Sequence, residues 1–333
     1  MPDTIGRTKK EKSNQEAGRT NREHDIHCCP ICSSPLRSDS TTYTIDQILD
    51  LWEPTIFTYA TIEEHRKQSA YTQMYNCSFC NLNIFLPQII GSPNFYQELQ
   101  QGSKETYYEE DKWDFHEALK DACGCQSIIE IGCGPGIFLT KARSTVPQVF
   151  GTEYNNMALR TARNKGLQVL GKNDSYESYM GRFDAAFSFH VLEHVADPIA
   201  FIADMCSWVK PEGLIALSVP NQDGPIKYID PCIMNMPPHH ATRWSFHTFE
   251  VLAQRMNLRI ERVAYEPLLL QNHNYYSYYW IKHKFSKQTR FDYLVSHLVS
   301  KLMYICFETI RKRGIRYINF LKGQSIYIVM SKT

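Results

Sequence analysis

No stretch of the 333 residues holds the ~20 consecutive apolar side chains that a bilayer-spanning helix needs. The N-terminus lacks the apolar core of a secretory signal, so export by that route is not expected. Neither charge sign is in excess. The 36 Lys and Arg against 35 Asp and Glu argue against a dedicated nucleic-acid binder. A disulfide framework is not suggested, because the eleven cysteines are odd in number and several lie in apolar, strand-like or helix-like stretches. That usage fits a reducing, cytoplasmic setting. No internal repeat stands out. With 43% hydrophobic residues the chain can bury a sizeable core, and its length allows one large and one small domain, or two ordinary ones.

Composition changes along the chain. Residues 1–26 are polar and charged with almost nothing to bury, which reads as a flexible tail. Residues 27–90 carry two C-x-x-C pairs and several prolines. From about Tyr107 helix and strand patterns alternate, the mark of an α/β domain. Strands are expected at Ser127 to Ile131, Gln148 to Thr152, Leu167 to Leu170, Phe183 to Phe189, Leu214 to Val219, Leu258 to Tyr265 and Ser325 to Met330. Helices are expected at Lys112 to Ala122, Ile137 to Arg143, Asn155 to Asn164, Pro198 to Val209 and Thr248 to Met256. Short apolar strands between helices imply a mainly parallel sheet buried on both faces. Ligands of such sheets bind beyond the carboxyl ends of the strands.

An insertion at about 266–322 interrupts the alternation. Its first part is dense in aromatics, and Phe291 to Arg313 has apolar residues at helical spacing. Residues 281–323 hold ten Lys or Arg and two Asp or Glu, a net of +8, so the rest of the chain is about −7. An apolar face with a basic flank suits peripheral membrane contact through 281–322, but packing on its own domain is the preferred reading.

The densest signal is the segment Ile128 to Phe138. An apolar strand runs into Gly132, Gly134 and Gly136 and then into a helix. Glycine permits the turn and a close approach to a ligand. Pro135 has a φ suited to a helix's first turn, and free N–H groups there can face polar or anionic atoms. Glu153 ends the next strand, twenty-one residues after Gly132, where a carboxylate can accept from both hydroxyls of a ribose. The dinucleotide spacing G-x-G-x-x-G is missing, since Ile137 occupies the third glycine's place; so is the triphosphate-loop spacing. A tight turn without a ligand is the alternative.

Glu130-Ile-Gly-Cys-Gly-Pro-Gly136 resembles the first motif of class I S-adenosylmethionine (SAM)-dependent methyltransferases, and Glu153 matches their ribose-binding acidic residue. Phe183 to Val195 resembles their fourth-strand motif in the "LEHV" subgroup, and Val209 to Asn221 resembles their post-helix turn and fifth strand. The resemblance spans about Tyr107 to Thr333. It implies an α/β, Rossmann-like, seven-stranded and mainly parallel sheet with helices on both faces, its last strand antiparallel. That domain is taken as 91–333. The resemblance also implies roles. Glu130, Gly132, Gly134 and Gly136 would meet the methionine end of SAM, and Glu153 the ribose. Tyr154 and Asp174 would lie near the adenine, and His190 beside the SAM pocket.

Cys29-Pro-Ile-Cys32 and Cys77-Ser-Phe-Cys80 can supply four thiolates to a closed, structural zinc site. Turn-tolerant residues, Ser33 and Asn81, follow the second cysteines. The 44 residues between the pairs exceed ribbon spacing, so an insertion must separate the knuckles. Cys28 leaves open which neighbour ligates, and four ordinary buried cysteines are the alternative. A zinc-ribbon-like module at 27–90 before a SAM domain resembles sugar methyltransferases of deoxysugar and surface-polysaccharide pathways. The nucleotide-sugar C-methyltransferases among them carry a further C-terminal domain that this chain is expected to lack. That departure argues against carbon-alkylating chemistry.

The expected function is therefore methyl transfer from SAM to a hydroxyl of a sugar, nucleotide-sugar or related small metabolite. The alternatives are a membrane-peripheral methyltransferase of a lipid-linked or quinone-like acceptor, and a non-catalytic SAM-fold binding module. A hydroxyl acceptor benefits from a base or a metal. His194, His190 and His240 are the candidate catalytic groups, with Glu193 and His239 beside them. Arg243 is expected to bind an acceptor phosphate or carboxylate, and Trp244 to stack on a sugar face. The set His190, Glu193, His194, His239 and His240 also resembles the metal site of metal-assisted O-methyltransferases, including ubiquinone and small-RNA 2′-O-methyltransferases. Those have a carboxylate where this chain has His190, and an imidazole there favours zinc, iron or nickel over magnesium. A histidine base is the preferred expectation.

Overall fold

The computed structural model describes residues 27–52, 56–102, 108–229, 231–285 and 290–333. The tail read at 1–26 lies outside the described residues. Three antiparallel strands come first: β1 (Leu36–Thr44), β2 (Tyr71–Cys77) and β3 (Asn83–Leu86). Two short helices, Ile45–Leu49 and Tyr59–Arg66, lie between β1 and β2 and form much of the insertion that separates the cysteine pairs. Thr44 starts the first of them reciprocally: its hydroxyl accepts from Gln47 N–H, and the Gln47 side chain accepts from Thr44 N–H.

The large sheet follows. Its parallel strands are β4 (Ser127–Ile131), β5 (Gln148–Thr152), β6 (Gln168–Leu170), β7 (Phe183–Phe189) and β8 (Val209–Pro220). A two-residue strand, β9 (Thr242–Arg243), joins the first sheet, and β10 (Leu258–Leu269) and β11 (Tyr317–Lys332) complete the second. The order is β10-β11-β8-β7-β4-β5-β6, with β11 antiparallel to both neighbours. All seven expected strands form. β8, β10 and β11 run beyond their expected ends, because backbone pairing continues where side chains leave the core and apolar patterning stops.

Side chains alternate across the sheet. Ile129, Ile131, Ile215, Leu217 and Val219 face one core, together with helices Pro198–Trp208 and Phe246–Arg255. Ile128, Ala185, Phe187 and Ala216 face the other, with helices Trp113–Asp121, Ile137–Ala142 and Asn156–Asn164. Side-chain caps fix where these helices begin. Asn155 accepts from Met157 and Ala158 N–H, and Asp197, just before Pro198, accepts from Ala200 N–H.

The segment read as a separate module at 27–90 shares its sheet and core with the rest of the chain. β3 pairs with β9, Asn83 opposite Arg243 and Ile84 opposite Thr242. Arg255 donates to the carbonyls of Pro30 and Ile31, both at 2.6 Å, and the Thr248 hydroxyl donates to Cys80 O at 2.9 Å. Cys29, Ile31, Cys77, Cys80 and Leu82 lie in one core with Trp244 and Phe249.

The insertion is the extended tip of the β10–β11 hairpin. The ladder continues through Leu268 opposite Ile318 and Leu269 opposite Tyr317. Beyond it come a π-helical turn at Tyr275–Trp280 and the helices Ile281–Phe285 and Arg290–Lys312. Leu268, Leu270, Phe307 and Ile318 form its small core. Among the described residues no helix is long and apolar enough to cross a membrane.

Candidate active site

Gly132, Gly134 and Gly136 follow β4 with φ of 73°, 53° and 75°. This is the left-handed region, which glycine enters without penalty. A Cβ on Gly134 would stand 2.7 Å from the Tyr108 ring, and one on Gly136 would collide with Leu167 Cδ1. Gly136 is the cap of helix Ile137–Ala142. Pro135 therefore precedes the cap instead of filling the first turn, because the left-handed Gly136 delays the helix.

The loop is tied to the end of β5. Gly132 and Cys133 donate to Thr152 O at 3.0 and 2.9 Å. Gly134 N–H donates to Glu153 Oε2 at 2.8 Å, and Asn155 N–H to Oε1 at 2.6 Å. Burial raises the Glu153 pKa, opposed by these donors. Glu130 is shifted well above its ordinary value by burial and then by the Glu153 charge. Its Oε2 has no hydrogen-bond partner among the described residues. A buried acceptor without a donor costs about 1–3 kcal/mol. The cationic amino-acid end of SAM is a donor of the kind this oxygen lacks. Tyr154, largely exposed, also lines the cleft.

His190 follows β7 with a φ of 53°, uncommon for a residue with a Cβ. Its Nε2 is 3.2 Å from Asp114 Oδ2, and its Nδ1 is 3.3 Å from Glu193 Oε1. Burial alone would lower its pKa, but the two carboxylates outweigh burial and raise it to about 9. Asp114, itself buried, also accepts from the Ser218 hydroxyl at 2.6 Å. A ring held as the cation has no lone pair to take a proton. His190 thus sits between two acids that favour its charged form.

The other histidines converge from two chain segments. His194 Nδ1 meets the His239 carbonyl, and the Tyr96 hydroxyl lies 3.1 Å from the same nitrogen and donates to the same carbonyl at 3.2 Å. His240 Nδ1 faces Asn235 Oδ1 at 3.2 Å. Both oxygens are acceptors, so Nδ1 carries the hydrogen in each ring and Nε2 presents a lone pair. Each of these Nε2 atoms stands 3.9 Å from Glu193 Oε1. The rings of His239 and His240 stack with centroids 4.5 Å apart. One ligand atom from each of His194, His239 and His240 lies within 4.8 Å of the others. Burial, reinforced by the neighbouring imidazoles, holds His239 and His240 well below their ordinary pKa. They are neutral, the state a metal requires. Glu193 is 1% exposed, and neither of its oxygens is hydrogen-bonded among the described residues.

These groups line one cleft of about 1570 Å³, which also includes Arg311, Ile315 and Arg316 of the insertion. Three expected contacts are placed elsewhere. Asp174 accepts from Gly171 N–H at 2.6 Å, pairs with Arg163 at 2.5 Å and does not line the cleft. Arg243 is buried, donates to Asn235 O at 2.8 Å and lies over the Phe85 ring. Trp244 is fully buried, bonded to the Thr242 hydroxyl and stacked on Phe249. The pairing of β9 with β3 turns this segment into the core, so neither Arg243 nor Trp244 meets an acceptor. Sequence reasoning missed Asp114 and Tyr96. Both come from helices outside the motifs, and no spacing rule links them to His190 or His194.

The four cysteines form a second cluster. Sγ atoms of Cys29 and Cys80 are 3.5 Å apart, those of Cys32 and Cys77 are 3.4 Å apart, and all four lie within 4.8 Å. Sulfurs around one zinc, at about 2.3 Å from it, are about 3.8 Å apart. The two knuckles repeat one turn. Ser33 and Asn81 have φ of 62° and 63° and donate to Cys29 O and Cys77 O at 2.9 and 2.8 Å. Cys28 is exposed and outside the cluster.

Residues 98–263 match the family model described as a methyltransferase domain. The chain is 29% identical over 106 residues to the ubiquinone biosynthesis O-methyltransferase of Albidiferax ferrireducens, covering 29% of this chain and 42% of that protein. It is 30% identical over 107 residues to the protein of the same name in Thiobacillus denitrificans, covering 29% and 46%. The chain thus spans less than half the length of these curated relatives. A solved SAM-dependent methyltransferase from Archaeoglobus fulgidus is 18% identical, with a TM-score of 0.41 over 66% of this chain and 91% of that one. With the glycine loop, the acidic end of β5 and the antiparallel β11, the family match makes this a chain that carries a class I SAM-dependent methyltransferase domain.

Proposed function

We propose that the protein is a SAM-dependent O-methyltransferase. The observation that carries the proposal is that the glycine loop, Glu153, His194 and His240 line the same cleft. SAM held there supplies a methyl group on a sulfonium, whose departure leaves neutral S-adenosylhomocysteine. The chain's own work is mainly positioning. Glu130 and Glu153 hold the donor's charged and ribose ends. His194 Nε2 takes the acceptor's proton as the oxygen–methyl bond forms, with Tyr96 and the His239 carbonyl orienting the ring. Glu193, 3.9 Å from His194 Nε2, is placed to steady the imidazolium that results.

A second reading uses the same atoms. Three imidazoles with one ligand atom each within 4.8 Å, beside a buried carboxylate that has no hydrogen bond among the described residues, fit a divalent cation on His194, His239 and His240. Such an ion would lower the pKa of an acceptor hydroxyl. The donor set favours zinc, iron or nickel.

For the acceptor we favour a hydroxyl on a molecule with an apolar portion over a sugar phosphate. Arg243 and Trp244, the groups suited to a sugar phosphate, are buried. Ile226, Met234 and Leu269 supply apolar wall to the cleft. The curated relatives are named for ubiquinone biosynthesis. Four sulfurs at tetrahedral spacing support one structural zinc on Cys29, Cys32, Cys77 and Cys80, with no open position for chemistry. The test is methyl transfer from labelled SAM to phenolic, lipid-linked and sugar acceptors. His194→Ala should abolish turnover with SAM affinity intact. SAM binding without turnover on any of these acceptors would leave a binding module. Loss of turnover on chelation that spares the cysteine-bound zinc would favour the metal.

A further inference from the structure

The helix Arg290–Lys312 hides one face and leaves an apolar row on the other. Met303, Phe307 and Ile310 pack inward against Leu268, Leu270 and Ile318. Leu294, Leu298, Leu302 and Ile305 point outward, 67%, 59%, 58% and 51% exposed. Their spacing of four, four and three residues keeps them on one stripe. Lys301 and Lys312 fall on that same stripe by the helical repeat, and both are exposed. A helix that only packs on its own domain needs one apolar stripe, and its second should be polar. Just beyond the helix, Ile315 and Phe320 are 49% and 85% exposed, and Arg313 and Arg316 are exposed beside them.

We propose that this outward face docks the protein on an anionic lipid surface. Leucine and isoleucine side chains enter the headgroup–acyl boundary, while the lysines and arginines on and beside the stripe meet lipid phosphates and carboxylates. The segment 281–323 carries +8, and the rest of the chain about −7. That asymmetry orients the insertion toward a negative surface and the remainder away from it. A second copy of the same face would bring like charge against like charge, which disfavours self-association through it. Docking also has a consequence for the cleft. Arg311, Ile315 and Arg316 lie in its lining, so the cleft and the docking stripe share the C-terminal end of this helix. Entry of an acceptor from the bilayer at that end rests on the methyltransferase reading; docking itself does not.

The test is flotation of the full chain with vesicles of phosphatidylcholine alone and of phosphatidylcholine containing about a third phosphatidylserine. The expected result is binding to the second only, weakened by high salt. Combined substitution Leu298→Ser, Leu302→Ser and Ile305→Ser should reduce vesicle binding by at least about tenfold. These side chains are exposed, so melting temperature and SAM affinity should not change. Equal binding to both vesicles, or no binding at low salt, overturns the proposal. So does a wild-type dimer that the triple variant dissociates, which would assign the stripe to self-association. A failure of methyl transfer alone leaves vesicle binding intact and separates the two claims.

Discussion

His190 Nε2 stands 3.2 Å from Asp114 Oδ2, joining the residue after β7 to helix Trp113–Asp121. The pair makes stability depend on pH with a definite sign. A histidine whose folded pKa is raised stabilises fully below its unfolded value and loses that contribution as pH rises through the folded one. For His190 the window runs from its ordinary 6.5 to about 9. Thermal melts should lose roughly 1–3 kcal/mol of stability across it. Asp114→Asn should flatten that decline. Identical slopes in both proteins would mean that the pair does not couple to folding.

Glu153 accepts from Gly134 and Asn155 N–H and faces the cleft. Glu153→Ala should weaken SAM binding by roughly 1–3 kcal/mol through loss of charge-assisted hydrogen bonds. Isothermal titration with SAM measures this directly. Superimposable titrations would remove Glu153 from the ribose site, and binding of NAD without SAM would overturn the donor assignment.

Elemental analysis of the purified chain should find one zinc, lost in Cys77→Ser. The cysteine knuckles share a core with Trp244 and Phe249 and are tied to helix Phe246–Arg255. Removing the metal should therefore lower the melting temperature of the whole chain in one transition, since metal affinity becomes folding free energy. A separate early transition, with the rest unchanged, would mean that the module is energetically independent.

Trp244→Ala should cost about 3–5 kcal/mol of stability, the usual price of truncating a buried tryptophan. Urea unfolding measures it. A variant as stable as the parent, with altered acceptor selectivity, would restore Trp244 to the acceptor site.

Much of this protein could be read from local chemistry. Periodicity marked the seven strands because each carries a short apolar run, buried on both faces in β4, β7 and the second half of β8. The glycine loop was legible because only glycine enters a left-handed turn at no cost, at Gly132, Gly134 and Gly136. The two cysteine knuckles were legible because a C-x-x-C turn places two thiols on one side of a bend. Those are properties of a few consecutive residues. What only the tertiary structure decided depends on segments distant in sequence. Asp114, on a helix far earlier in the chain, closes on His190 and, with the neighbouring Glu193, favours its charged form. Tyr96 reaches His194 across 98 residues. β3 captures Thr242–Arg243 and buries the side chains expected to grip the acceptor. Charge state and burial are set by the neighbours that folding brings together, and those neighbours are not written in the spacing of any motif.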